Sequence, residues 1–128
     1  MKEIDLKVIL NGNIEYVTKF YDAPDDPELK IVVLPVDVKK ILMSYLKGDI
    51  TLENLNIWAE FLCFRGEYVC NDWESDESAD YYEDMWYVVQ KLSTPEIDGE
   101  ITPDTVRVYL EELDKYFSNE SESANDAF

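Results

Sequence analysis

The sequence predicts an α+β fold, in which an N-terminal antiparallel β-meander leads into a four-helix C-terminal region within a single domain. Three observations carry that expectation. Ile4, Leu6, Val8 and Leu10 alternate with Asp5, Lys7 and Ile9 at the period of a half-buried strand. From Pro35 onward the apolar residues recur at helical spacing. Two closely matched helix entries, Gly48–Leu55 and Gly99–Val106, then fix where two helices begin. With 128 residues, 46% of them apolar, the chain can bury one core. The domain is expected over 1–117, β-rich over 1–34 and helical over 35–117, with 118–128 as a disordered acidic tail.

The first strand ends at Asn11-Gly12, a pair whose tolerance of positive φ suits a tight hairpin turn. Ile14–Tyr21 is the expected return strand. Prolines and acids make residues 22–27 a loop, and Lys30–Leu34 reads as a third strand stopped by Pro35. The first helix is expected over Val36–Lys47, with Val38, Ile41, Leu42 and Tyr45 on its buried stripe and Gly48 as its left-handed end. The second, Leu52 to about Phe64, is capped by Thr51 and apolar on nearly every side, so it is expected at the centre. The third spans about Asp76 to Ser93, with Tyr82, Met85, Trp86, Val89 and Leu92 inward. The fourth runs from Pro103, at a position where a missing amide costs nothing, to Phe117. It buries Val106, Tyr109, Leu110, Leu113 and Phe117.

Charge is the most informative part of the composition. The chain carries −18; residues 1–64 hold 11 Asp/Glu against 7 Lys/Arg, net −4, and residues 65–128 hold 18 against 4, net −14. Between Gly66 and Val106 twelve carboxylates face one basic residue, Lys91. Direct binding of nucleic acid or anionic lipid depends on cations that neutralise phosphates, so both are disfavoured. A cationic protein is the partner such a surface steers in, and simple solubility is the competing explanation.

No run of about 18 apolar residues suggests a bilayer span. The start Met1-Lys2-Glu3-Ile4-Asp5 lacks the apolar stretch of a signal peptide. Two cysteines, Cys63 and Cys70, are too few for a secreted disulfide scaffold. The cytoplasm, with reduced thiols, is the expected location.

Catalysis is hard to assemble from these residues, and neither a catalytic group nor a cofactor is expected. Histidine is absent, which removes the commonest general base and metal ligand. The two cysteines fit no zinc spacing, and four scattered glycines form no phosphate loop. Asp72, Glu74, Asp76, Asp80 and Glu83 do occupy positions 1, 3, 5, 9 and 12 of a calcium-loop pattern. Glu77 stands where that loop needs glycine for its sharp turn, so no metal site is expected.

The outer face of the third helix is the candidate binding surface. Asp76, Asp80 and Asp84 fall four apart and Glu83 three beyond Asp80, so like charges stack at a cost of about 0.2–0.5 kcal/mol per neighbour. Favourable interaction with the helix N-terminus accounts for the earliest acids but less readily for Glu83 and Asp84. Trp73, Tyr81 and Tyr87 lie beside them, and aromatic anchors ringed by carboxylates suit a cationic protein surface. Packing of Trp73 and Tyr81 beneath the preceding loop is the alternative. The expected partner-binding set is Asp72, Trp73, Glu74, Asp76, Asp80, Tyr81, Glu83, Asp84 and Tyr87.

The stretch Tyr45-Leu46-Lys47-Gly48-Asp49-Ile50-Thr51-Leu52-Glu53-Asn54-Leu55-Asn56-Ile57-Trp58-Ala59-Glu60 resembles one found in small bacterial immunity proteins of contact-dependent growth inhibition and other polymorphic toxin systems. Leu92-Ser93-Thr94-Pro95-Glu96-Ile97-Asp98-Gly99-Glu100-Ile101-Thr102 is similar to another recurrent element of such proteins. Both mainly encode helix caps and a core tryptophan, and together they cover about a fifth of the chain. The resemblance implies a protein that blocks a cognate toxin domain, often a nuclease, by occupying its cleft or a surface nearby. An inhibitor of a DNA-binding enzyme that mimics nucleic acid is the alternative.

Overall fold

A computed structural model describes residues 2–69 and 83–126, the last of these, 118–126, by their helical backbone. The described elements are α1 (Glu3–Leu10), α2 (Ile14–Phe20), β1 (Ile31–Val32), α3 (Pro35–Lys47), α4 (Leu52–Phe64), β2 (Tyr68–Val69), α5 (Glu83–Ser93), α6 (Pro95–Asp98) and α7 (Pro103–Asp126). The protein is therefore predominantly helical, and the N-terminal β-meander expected from the sequence is not there.

The first two expected strands are helices. Leu6, Ile9 and Leu10 are the buried residues of α1, spaced three and four apart, while Ile4 is 63% exposed. The alternating pattern had coincided with a helical stripe, and tertiary burial chose the stripe. The Asp5 carboxylate accepts the Lys2 N–H at 2.8 Å to open α1, and Asn13 caps α2 by accepting from the Tyr16 N–H at 3.2 Å. Asn11-Gly12 joins two helices rather than two strands. Gly12, at φ +96°, is close against α3, where a Cβ would stand 2.7 Å from Ile41 Cδ1.

Of the third expected strand, Lys30–Leu34, only Ile31–Val32 is strand, and it pairs in parallel with β2 in the register Ile31 with Tyr68 and Val32 with Val69. Flanking bonds from Ile31 N–H to Glu67 O (2.7 Å) and Val33 N–H to Val69 O (2.8 Å) extend the ladder. A parallel pair needs a long crossover, which α3 and α4 supply. Arg65 and Glu67, just before β2, grip the loop around residues 23–26.

From α3 onward five helices stand among the described residues where four were expected, the short α6 being the addition, and the expected start of the third, residues 76–82, lies outside them. Pro35 starts α3, the Asp37 carboxylate accepts the Leu34 N–H at 2.9 Å, and Gly48 (φ +84°) ends it in the left-handed region. Thr51 Oγ1 accepts the Asn54 N–H at 3.1 Å at the head of α4. Leu55, Trp58, Ala59, Phe61 and Leu62 are buried in α4, whereas Leu52 and Phe64 at its ends are exposed. At the matching entry to α7, Thr102 Oγ1 accepts the Thr105 N–H at 3.2 Å, and Thr105 Oγ1 accepts the Thr102 N–H at 2.8 Å in return.

α5 buries Met85, Val88, Val89 and Leu92 against α4, its most extensive neighbour. The short α6 then turns the chain into α7, which buries Val106, Tyr109, Leu113 and Tyr116 and packs chiefly along α3. Leu110 and Phe117, expected inside, are half-buried against the same core. The backbone of α7 continues to Asp126, past Phe117 where the apolar period stops and a loose tail was expected.

Trp58 lies at the centre, fully buried, with its indole N–H donating to the carbonyls of Ile9 (3.1 Å) and Leu10 (3.3 Å). The Tyr68 hydroxyl donates to the Leu6 carbonyl at 2.7 Å. α1 is thus tied to the rest of the protein by polar bonds from residues far along the chain. Among the described residues no helix is long and apolar enough to cross a membrane.

Candidate partner-binding face

The candidate face is the outer side of α5, held in place by its inner side. Met85, Val88, Val89 and Leu92 are wholly buried and fix the rotation of the helix. That rotation leaves Glu83, Asp84, Tyr87 and Gln90 exposed. Tyr87 exposes 53% of its surface, so the sequence reading of its position outside the core holds in the fold. Asp72, Trp73, Glu74, Asp76, Asp80 and Tyr81 lie outside the described residues, as do Cys70 and four of the five acids of the calcium-like spacing.

What the sequence missed is the neighbour. α7 runs beside α5 and presents Glu112 and Lys115 to it. Lys115 Nζ forms an ion pair with Asp84, both side chains half-exposed, and Lys91 Nζ sits 3.9 Å from Glu112 Oε2. Asp84, Tyr87, Lys91, Glu112 and Lys115 together border an open groove of about 530 Å³. The described end of the expected acidic face is therefore mixed in sign, with Asp84 already matched by a cation from 31 residues away. Spacing within α5 has no access to that pairing. Glu112 and Lys115, three apart on α7 between the buried Tyr109, Leu113 and Tyr116, carried the only signal for it.

Lys91 also lies 5.6 Å from the centre of the Tyr109 ring, and Lys115 lies 5.3 Å from that of Tyr116. Burial first, then the charges of Glu112 and Asp98, raise the Tyr109 phenol above its ordinary value. Glu83, Glu96, Glu100 and Glu111 are exposed and make no ion pair among the described residues.

Cys63, half-buried in α4, has its thiol pushed up by burial, with a hydrogen bond from Ser93 opposing the shift. A protonated, partly buried thiol is a packing group and not a nucleophile. No group of three or more His, Cys, Asp or Glu is placed to hold a metal ion among the described residues. Compared with protein-family models, curated proteins and solved structures, the chain shows no significant match.

Proposed function

We propose that this chain is a cytoplasmic binding protein of the immunity type, which neutralises a cognate basic toxin domain, such as a nuclease, by covering its cationic cleft. The observation that carries the reading is the exposed Glu83–Tyr87 edge of α5, an aromatic and an acid that makes no ion pair among the described residues, on a helix anchored by four buried side chains, within a half-chain of net −14. Carboxylates there stand in for the phosphates such a cleft is built to hold, and Tyr87 supplies the apolar anchor that charge alone lacks. Inhibition by occlusion needs no chemistry from the inhibitor. The resemblance at Tyr45–Glu60 and Leu92–Thr102 supports the same class of protein.

The test is calorimetric titration of the full chain against the basic domain encoded by its genomic neighbour, at low and at physiological salt. Tight one-to-one binding that weakens with salt and with Glu83→Lys or Tyr87→Ala is expected. No binding at low salt, or binding that both substitutions leave unchanged, overturns the proposal. Binding to many unrelated DNA-binding proteins, competed by duplex DNA, would replace it with nucleic-acid mimicry.

A further inference from the structure

A second groove differs in character from the acidic face. It lies between α3 and α7, has a volume of about 830 Å³, and is bordered by Leu34, Val36, Met43, Tyr116 and Phe117 together with Lys39, Lys40 and Lys47. α3 carries two stripes. Val38, Ile41 and Leu42 face the core, while Val36, Lys40, Met43 and Lys47, spaced four, three and four apart, form a second ridge along the groove. Leu34, Val36 and Met43 are 40%, 40% and 37% exposed, and they cluster in this one place.

The lysines are the second observation. Lys39, Lys40 and Lys47 make no ion pair among the described residues, and neither do Lys2, Lys19 and Lys30, but only the first three share one groove; of them, Lys40 also acts on the Asp37 carboxylate. Lys39 Nζ is held 4.4 Å from the centre of the Phe117 ring, which places its charge at the wall of the groove. Lys47 in the last turn also complements the dipole of α3. Lys39 and Lys40, in mid-helix, have no such role.

We propose that this groove docks an acidic amphipathic segment of a partner protein, apolar side chains on Val36, Met43 and Phe117 and carboxylates on the three lysines. At physiological salt a charge is felt over about 8 Å, so a narrow segment in the groove meets the ammonium groups before the net charge of the molecule. An anionic bilayer is an extended surface that would meet the acidic remainder as well, and two copies of a chain carrying −18 repel each other. A slender acidic helix or strand is the occupant that satisfies both the apolar ridge and the cations. This surface is separate from the α5 edge, so its test stands whether or not the toxin-binding reading does.

The probe is a short fluorescein-labelled peptide of leucine, phenylalanine and glutamate in amphipathic helical order, titrated into the full chain and followed by anisotropy. Its scrambled isomer and its lysine-for-glutamate counterpart are the comparisons. Saturable binding of the acidic amphipathic peptide alone is expected, with amide NMR shifts confined to α3 and residues 113–117. Met43→Glu, and separately the pair Lys40→Glu and Lys47→Glu, should each weaken it about tenfold or more while leaving the thermal melt in place. Equal binding of the scrambled or basic peptide overturns the proposal. So does preferential binding to phosphatidylglycerol vesicles, concentration-dependent dimerisation lost on Met43→Glu, or indifference to both variants.

Discussion

Arg65 and Glu67 form a buried, two-pronged ion pair, Nε to Oε1 at 2.9 Å and Nη2 to Oε2 at 3.0 Å, with the carboxylate side chain only 1% exposed. Each partner is also spent on backbone. Arg65 donates to the carbonyls of Ala23 (2.7 Å) and Pro24 (3.0 Å), and Glu67 accepts the Asp26 N–H at 3.0 Å. The guanidinium lies 4.8 Å from the centre of the Phe61 ring, which completes its surroundings. The pair closes the loop between α2 and β1 onto the edge of the parallel ladder.

Removing Glu67 leaves the buried guanidinium with only the more distant, half-exposed Asp25 carboxylate to offset its charge. Glu67→Ala should lower the unfolding free energy by about 3–5 kcal/mol, read from urea denaturation. Asp25, which reaches Arg65 Nη2 at 3.6 Å and is half-exposed, is the internal comparison. Asp25→Asn should cost under about 1 kcal/mol. Equal losses for the two variants would show that the buried pair is not the tether.

Gly12 and Gly48 both sit at positive φ, but for different reasons. At Gly48 a Cβ would meet nothing within 4 Å, so Gly48→Ala should cost about 1–2 kcal/mol, the strain of a left-handed alanine. At Gly12 the same strain is joined by the 2.7 Å approach to Ile41 Cδ1, in a residue that is only 3% exposed and has little room to shift. Gly12→Ala should therefore lose more than Gly48→Ala, by about 1–3 kcal/mol of overpacking. Thermal melts of the two variants side by side decide it.

The Tyr68 phenol is pushed above its ordinary value of 10, by burial first and by the Glu67 carboxylate second, with Arg65 acting the other way. A group whose folded value is raised gives stability that is fully present below the unfolded value and is lost as pH rises through the folded one. The proton that stays on is the one donated to the Leu6 carbonyl. Stability should thus decline above about pH 10. Tyr68→Phe should cost about 1 kcal/mol near neutrality and flatten that alkaline decline, as read by circular dichroism melts across the range.

Asp84 is already matched by Lys115, so the candidate face is less acidic than it would otherwise be. The pair is half-exposed, and breaking it should change stability by no more than about 1 kcal/mol. Lys115→Glu should nonetheless speed association with a basic partner several-fold at low salt, an advantage that vanishes as salt is added. Stopped-flow association rates measure it, and a slower rate would place the interface elsewhere.

The fold was legible in the sequence where local chemistry sufficed. Gly48, Thr51, Thr102 and Pro103 each announce a helix boundary through a requirement of the backbone, and the structure keeps all four. The N-terminus was not legible, because Leu6, Ile9 and Leu10 also sit within an alternating run and Asn11-Gly12 serves a helix pair as well as a hairpin. What separates the two readings is the indole of Trp58 and the side chain of Ile41, both dozens of residues away. A two-residue parallel ladder leaves no periodic trace at all. The exposure of Tyr87 and Glu83 on the candidate face was legible, because it depends on the phase of one helix, and the pairing of Lys115 with Asp84 was not, because it depends on how two helices lie together.

The carbonyls of Leu6, Ile9 and Leu10 find their buried donors in Tyr68 and Trp58, so nothing upstream of α4 can finish docking α1. On the ribosome, the nascent amino-terminal segment must wait until α4 and β2 have emerged. Until then α1 has chiefly α2 and β1 to pack on, with those three carbonyls still lacking their buried donors.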